Sequence, residues 1–466
     1  MSETELDASP PPETQLDEDD RLKPEYVSAV IERLEADDPD GARALVEPLH
    51  PADIADLFEL APSEWRGPLA AALRDVLDAD VFAEMNDYVR EDLIDELDPS
   101  QVADLASELD TDDAVAIIED MEPAEQREVL RAMEPDDRAA IEEALSYPEE
   151  SAGRLMQREL IAVPEHWTVG DTIDYLRGND DLTTDFWEVF VVDPAHRPVG
   201  TCQLSWILRT PRKIAMADVM KREQTLIPVD MDQEEVALRF QKYALISAAV
   251  TDGSGRLVGM ITVDDIVHII QEEASEDVLL LSGVSEGDIN EPVVDSYRRR
   301  VRWLIANLLT ALLAAFIISL FEATIERMVA LAALMPIVAG VGGNAGTQTM
   351  AVTVRALATN QLTQSNTLRA IGRELRIALL NGGTVAVVIG VGVAFFFGNS
   401  ELGGVIAAAM LVNILVAGTA GVLVPLLLDR WRQDPAVASS VFVMMLTDSM
   451  GFFAFLGLAT AAGLAS

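Results

Sequence analysis

Hydrophobic and polar positions follow two regimes along the 466 residues. Up to about residue 300, apolar residues come in short groups broken by acids, prolines and glycines. Beyond that point they fuse into runs long enough to cross roughly 30 Å of hydrocarbon at about 1.5 Å per helical residue. Five such runs can be drawn, at about 301–323, 328–354, 374–398, 402–428 and 436–463. The pattern predicts a chain that divides into a large aqueous part and a membrane part of five helices.

The aqueous part carries two kinds of repeat. Residues 97–144 fall into four units of twelve, "LDPSQVADLASE", "LDTDDAVAIIED", "MEPAEQREVLRA" and "MEPDDRAAIEEA". Asp98, Asp110, Glu122 and Glu134 stand where helix caps belong. Pro99, Pro123 and Pro135 follow at the first helical position, where a missing N–H costs nothing. Short helices of roughly nine residues stacked as a superhelix are expected, and the segment from Pro24 to Leu97 is expected to continue them. The second repeat pairs "LMQRELIAVP" (155–164) with "VMKREQTLIP" (219–228), and "VVDPAHRPVG" (191–200) with "VTDGSGRLVG" (250–259). Each copy reads as a helix, a β-branched strand, a polar turn, a second strand and a helix. The pair resembles tandem cystathionine-β-synthase-type (CBS) domains, regulatory modules that often bind adenosine nucleotides. In "GMITVDD" that resemblance implies Gly259, Thr262 and Asp265 as ribose and phosphate ligands, whereas "GTCQLSW" in the first copy lacks the Ser/Thr and Asp.

Charge sharpens the division. Of 79 Asp and Glu, 72 lie in residues 1–300 with 25 of the 33 Lys and Arg, so the aqueous part carries −47 and the rest +1, for a net −46. Nucleic acid would be repelled by such a surface and is excluded as a partner; cations suit it. One cysteine, Cys202, rules out a disulfide framework within the chain. The opening "MSETELDASPPPETQLDEDD" reads as an acidic, Pro-rich disordered tail. No nucleophile–base pair, His/Cys cluster or phosphate loop stands out, which argues against an enzyme. The expected organisation is a tail (1–22), an all-α superhelical domain (23–148), CBS copies (149–212 and 213–272), an acidic connecting helix (273–300) and a five-helix membrane domain (301–466).

The connecting segment begins with Glu272, Glu273, Glu276 and Asp277. Glu273, Glu276 and Asp277 share one helical face, where like charges repel unless a cation bridges them; the alternative is a face turned to water. Arginines precede the first apolar run (Arg298, Arg299, Arg300, Arg302), separate the second from the third (Arg355, Arg369, Arg373, Arg376) and separate the fourth from the fifth (Arg430, Arg432). That alternation places the N-terminus in the cytoplasm and the C-terminus outside the cell membrane. In the second run, "PIVAGVGGNAGTQ" holds Pro336, Gly340, Gly342, Gly343, Asn344, Gly346, Thr347 and Gln348. This suggests a broken helix lining a wet cavity, or tight packing through small residues such as Gly340 and Gly346. Asn413 fits an interhelical hydrogen bond. Asp448, alone among apolar neighbours and without a basic partner in the membrane runs, is either a proton carrier or a cation site, since a carboxylate there costs about 3 kcal/mol on insertion scales.

Taken in order, the superhelix, the CBS pair, the acidic helix, five membrane runs, "PIVAGVGGNAGTQ" and "DPAVASSVFVMMLTD" resemble the MgtE family of magnesium channels over nearly all of residues 24–466. The resemblance implies a homodimer in the bilayer with a magnesium-selective pore, closed by cytosolic Mg²⁺ bound between the soluble domains and the connecting helix, with ATP as a modulator. It places Asp448 at the pore aspartate that faces a hydrated ion and Asn344 in the pore-lining stretch. Asp434, Glu273, Glu276, Asp277 and Asp265 fall at sensing positions, with Asp112 or Asp113 contributing from the superhelix. His268, Ala244 and Val441 depart from the family pattern near these places. The rival readings are a proton-coupled transporter, a CBS-regulated anion channel, which Asp448 disfavours, and a membrane-anchored nucleotide sensor without transport.

Overall fold

The computed structural model describes residues 15–18, 21–95, 97–119, 121–179, 182, 186–281, 290–362 and 366–464. They form two compact units, Met1–Ile270 and Gln271–Ser466.

Ten short helices open the first unit: α1 (Pro24–Glu35), α2 (Pro39–Val46), α3 (Pro51–Leu60), α4 (Ser63–Ala72), α5 (Ala79–Ala83), α6 (Asp87–Ile94), α7 (Pro99–Ala106), α8 (Thr111–Glu119), α9 (Pro123–Ala132) and α10 (Pro135–Ala144). The twelve-residue repeat is thus one helix and one turn per unit. Asp98 caps α7 in a reciprocal box with Gln101, and Pro99, Pro123 and Pro135 each open a helix. One apolar core runs through all ten helices, from Tyr26 and Phe58 to Ile117, Ile118 and Ile141. Of the tail expected over 1–22, residues 1–14 and 19–20 lie outside the described residues. Its end is not a free tail: Leu16 bridges to Leu22, which is buried in that core, because the acidic stretch supplies two leucines at a spacing that lets them pair.

Each CBS copy builds a three-stranded sheet. The first comprises β1 (Ala162–Pro164), α11 (Val169–Gly178), β2 (Glu188–Val192), β3 (Pro198–Gln203) and α12 (Leu204–Arg209). The second comprises α13 (Met216–Val219), β4 (Leu226–Pro228), α14 (Gln233–Tyr243), β5 (Ser247–Thr251), β6 (Leu257–Thr262) and α15 (Val263–Leu281). In both, the short first strand runs parallel to the second, and the second and third form a hairpin. The sequence reading saw only the hairpins, because three residues are too few for an alternating pattern.

The repeated Met-containing motifs explain how the copies interlock. Met156 and Ala152 are buried in the core of the second copy, and Met216 and Met220 in that of the first. A Cβ at Gly259 would lie 2.7 Å from Met156 Sδ, and one at Gly200 would lie 2.8 Å from Met220 Sδ. Only glycine admits this approach, so the boundary drawn at 212/213 cuts through a reciprocal exchange in which each copy completes the other.

The expected acidic helix over 273–300 is not one element. Glu273, Glu276 and Asp277 extend α15, which runs unbroken from the end of β6 because no Gly or Pro interrupts it before residue 281. Residues 282–289 lie outside the described residues, and Val293 onward already belongs to the first membrane helix.

The second unit holds α16 (Val293–Ser319), the short α17 (Glu322–Arg327), α18 (Ala330–Ala358), α19 (Thr367–Phe397), α20 (Ser400–Arg430) and α21 (Pro435–Ala461). The five long helices are each apolar and long enough to cross a bilayer. Here the expectation of a broken second span fails: α18 is continuous for 29 residues, with Pro336 inside it. The glycines serve close packing instead. A Cβ at Gly342 would sit 2.0 Å from Asn413 Nδ2, whereas Gly340, named as a packing residue, has open space around it. Gly346 does pack: a Cβ there would lie 2.7 Å from Val443 Cγ1. Apart from the Ala332 carbonyl, to which Pro336 has no N–H to donate, the helix keeps its own hydrogen bonds while small residues bring its neighbours close.

Candidate functional site

Three groups of residues carry the chemistry: an acidic cluster in the first unit, an acidic pair in the second, and a polar face on the membrane helices.

The first group forms where α8 meets the end of β6. The first turn of α8 carries Asp112 and Asp113, stabilised there by the helix dipole. Asp265 opens α15, its Oδ2 accepting from Thr262 Oγ1 at 2.6 Å and from Gln157 Nε2 at 3.3 Å. Asp112 is only 9% exposed, and its Oδ1 is buried without a hydrogen-bond partner. Burial, then the neighbouring charges of Asp265, Asp113 and Asp110, push its carboxyl well above the usual range. Asp113 is raised to about 6 by burial and by Asp265, Asp110 and Glu84, against which Arg90 acts weakly. Asp265 is raised by burial, an effect its hydrogen bond from Thr262 opposes. Three carboxylates drawn into one poorly solvated place, one with an orphaned oxygen, repel unless protons or a cation join them. Hard carboxylate oxygens suit Mg²⁺. The sequence named all three acids but not Gln157, Thr111 or Glu159, which hold them; the shared "QRE" and "KRE" of the two Met motifs was the available signal.

Nucleotide ligation by Gly259, Thr262 and Asp265 does not follow from this arrangement. Gly259 is filled by Met156 and the Gln157 carbonyl, Thr262 is buried, and Thr262 and Asp265 are spent on each other.

The second group lies in the membrane-bearing unit. Leu280, at the end of α15, is buried with Met350 and Val354 of α18 and Ala436 and Val443 of α21. One turn earlier, Asp277 is pushed up by burial and then by the charge of Asp434. Asp434 caps α21, accepting from Ala436 N at 2.7 Å. Glu273 and Glu276 stand half-buried on the same side of α15.

Along α18, Asn344, Thr347 and Gln348 are exposed, a polar face on a membrane helix that requires water or another chain in front of it. Asp448 is half-buried on α21, between the buried Thr447 and Ser449. Asn413 is wholly buried and donates to the Val338 carbonyl at 2.9 Å, an interhelical tie as expected. Gln348 also lines a cavity of about 190 Å³ with Thr349, Arg373, Glu374 and Asn381, which the sequence reading did not anticipate. Among the described residues no three His, Cys, Asp or Glu converge as a ready metal cage.

Comparison with known proteins gives these parts a common setting. The chain matches a model described as a divalent cation transporter, MgtE, at residues 335–458, the MgtE intracellular N domain at 49–150 and a CBS domain at 216–272. The magnesium transporter MgtE of Bacillus subtilis (strain 168) is 31% identical over 324 residues, 69% of this chain and 72% of that one. That of Enterococcus faecalis (strain ATCC 700802 / V583) is 34% identical over 308 residues, 66% of this chain and 68% of that one. A crystal structure of the cytosolic domain of the Mg²⁺ channel MgtE in complex with ATP shares 27% identity and covers 52% of this chain and 99% of its own, with a TM-score of 0.48. A helical domain and CBS pair joined to five membrane helices define a multi-pass membrane protein of the divalent-cation-transporter class. The chain belongs to the MgtE family of magnesium transporters.

Proposed function

We propose that the chain is a homodimeric magnesium channel for uptake, with its N-terminus in the cytoplasm and its C-terminus outside, closed by cytosolic magnesium through the acids of both units. The observation that carries the gating half is the buried, unpartnered Asp112 Oδ1 beside Asp265. A protein gains nothing in stability from setting the buried Asp112 beside the half-buried Asp113 and Asp265; a sensor gains a strong preference for a state in which their charge is balanced.

Asp448 and Asn344 supply the pore's ligands. A carboxylate half-buried at mid-span attracts Mg²⁺, and because that ion gives up water reluctantly, Asp448 selects through the hydration shell rather than by stripping it. Asn344, exposed on α18, offers a neutral amide oxygen.

Asp112, Asp113 and Asp265 repel one another when ionised, as do Asp277 and Asp434, while Glu273 and Glu276 add charge to α15 between them. Bound magnesium would supply two positive charges that cancel this repulsion. Relief of repulsion favours the arrangement described above, in which Leu280 is seated on α18 and α21 and α15 stands at the helix ends. Unrelieved repulsion favours departure of α15 from that seat, which frees the pore. Covalent continuity of α15, from Asp265 to Leu280, couples the two acidic groups, and each biases the same element.

Limited proteolysis of the full-length protein, with magnesium or with EDTA, tests the sensing reading. Magnesium should slow cleavage of the wild type and should protect Asp112→Asn and Asp265→Asn less; equal protection in all three would remove those acids from the sensor.

A further inference from the structure

The segment Arg154–Glu159 crosses from the superhelix to the CBS sheets and grips α8 at both ends. At its C-terminal end, α8 is held by Arg154, which pairs with Glu119 and also donates to the carbonyls of Tyr147 at 3.0 Å and Leu145 at 3.1 Å. At its N-terminal end, α8 is held by Glu159. One carboxylate oxygen accepts from Thr111 Oγ1 at 2.8 Å, and the other accepts from Thr111 N at 3.3 Å and from Arg158 N at 2.8 Å. The Thr111 amide is one of the orphan donors of a helix start, so a carboxylate 48 residues away does the work of a cap. Two residues before Glu159, Gln157 is fixed to β6 by reciprocal backbone bonds with Met260, at 2.7 and 2.9 Å, and reaches Asp265 with its side chain. Arg158, between them, pairs with Glu143 of α10.

The strut therefore touches Asp265 with one residue and the residue immediately before Asp112 with another. We propose that Glu159 is a positioning residue for magnesium sensing: its grip on Thr111 sets the first turn of α8, and hence Asp112 and Asp113, at the separation from Asp265 that the sensor requires. It is not one of the acids to which sensing is assigned above. Its charge is an odd choice for a spacer beside Asp110, Asp112 and Asp113, unless the hydrogen bonds it accepts outweigh the added repulsion. A neutral acceptor would make some of those bonds, and a methyl group none. The inference rests on the sensing role proposed for Asp112, Asp113 and Asp265.

The test is magnesium influx into proteoliposomes holding the full-length protein, followed with a fluorescent indicator while magnesium on the face of the aqueous domains is varied. The inhibitory midpoint is compared for wild type, Glu159→Ala, Glu159→Gln, Thr111→Ala and Asp265→Asn. Flux with that face free of magnesium should be equal in wild type and the two Glu159 variants, which shows that they fold and conduct. Glu159→Ala should then need about tenfold more magnesium to close, a coupling loss of the usual size. Glu159→Gln should stay within about threefold of wild type, because its amide oxygen still accepts from Thr111. Thr111→Ala, which keeps the backbone donor, should fall between them. An unchanged midpoint in Glu159→Ala, with a raised one in Asp265→Asn, would overturn the positioning role and leave the sensor intact. A Glu159→Gln midpoint as high as that of Glu159→Ala would also overturn it, since charge rather than position would carry the effect. No change in Asp265→Asn would overturn the sensing reading itself.

Discussion

Asp113→Asn should make the metal-free protein more stable at neutral pH. The Asp113 carboxyl is raised from 3.8 to about 6 by burial and by Asp265, Asp110 and Glu84. The folded protein holds this proton more tightly than the unfolded chain does. Unfolding therefore releases it between about pH 4 and 6, and stability falls as pH rises through that window. At 1.36 kcal/mol per pH unit, the gap between 3.8 and about 6 makes ionised Asp113 cost the fold about 3 kcal/mol above pH 6. Asparagine removes that cost. It also gives up a favourable charge at the start of α8, worth about 0.5 kcal/mol, leaving a net gain of about 2.5 kcal/mol. For a unit of this size, each kcal/mol moves the unfolding midpoint by about 2–4 °C, so a rise of about 5–10 °C is expected. Full-length protein in EDTA, unfolded thermally across pH 4 to 8 with tryptophan emission as the signal, provides the assay. The variant should lead at pH 7.5, converge with wild type near pH 4, and gain less from added magnesium. A variant no more stable than wild type at pH 7.5, or one equally ahead at pH 4, would refute the reasoning.

Other expectations follow from the same packing. Gly342→Ala should lower the thermal stability of the detergent-solubilised protein, because the new methyl group would meet Asn413 Nδ2 at 2.0 Å, while Gly340→Ala, in open space, should be neutral or mildly stabilising. Asn413→Leu should destabilise by about 2 kcal/mol or more, since the side chain is wholly buried against Gly342 and Gly451 and donates to the Val338 carbonyl; wild-type stability would dismiss that tie. Asp434→Asn keeps an oxygen to cap α21, whereas Asp434→Ala loses it at about 1 kcal/mol. Both should raise the magnesium needed to stop flux, and only the alanine variant should also unfold more easily; a wild-type midpoint in both would take Asp434 out of the sensor.

Much of the architecture is written in local pattern. Pro99, Pro123 and Pro135 each start a helix because their missing N–H suits that position, and the apolar runs became five spans because hydrocarbon leaves a backbone little else to form. What the pattern missed depends on partners far along the chain. Gly342 and Gly340 look alike in sequence, and only Asn413, 71 residues beyond Gly342, distinguishes them. The glycines read as helix breakers because their packing partners were invisible. The acids proposed here as a sensor were legible as charges in excess, and the resemblance alone supplied that role. The nearness of Asp112 and Asp113 to Asp265, and the hydrogen bonds of Gln157 to Asp265 and of Glu159 to Thr111, depend on the exchange of Met motifs between CBS copies, which no single stretch displays. Asp265 was assigned to nucleotide by the CBS motif and to metal by the family resemblance; its bonds to Thr262 and Gln157 and its nearness to Asp112 favour the second.

The most direct test is magnesium flux into liposomes bearing the purified wild type or Asp448→Asn, with magnesium absent from or abundant on the face of the aqueous domains. A selective pore closed by its own cargo predicts flux in the wild type that falls as that face is loaded, and little flux in the variant under either condition. Equal flux in Asp448→Asn, or wild-type flux indifferent to magnesium on that face, would contradict the account.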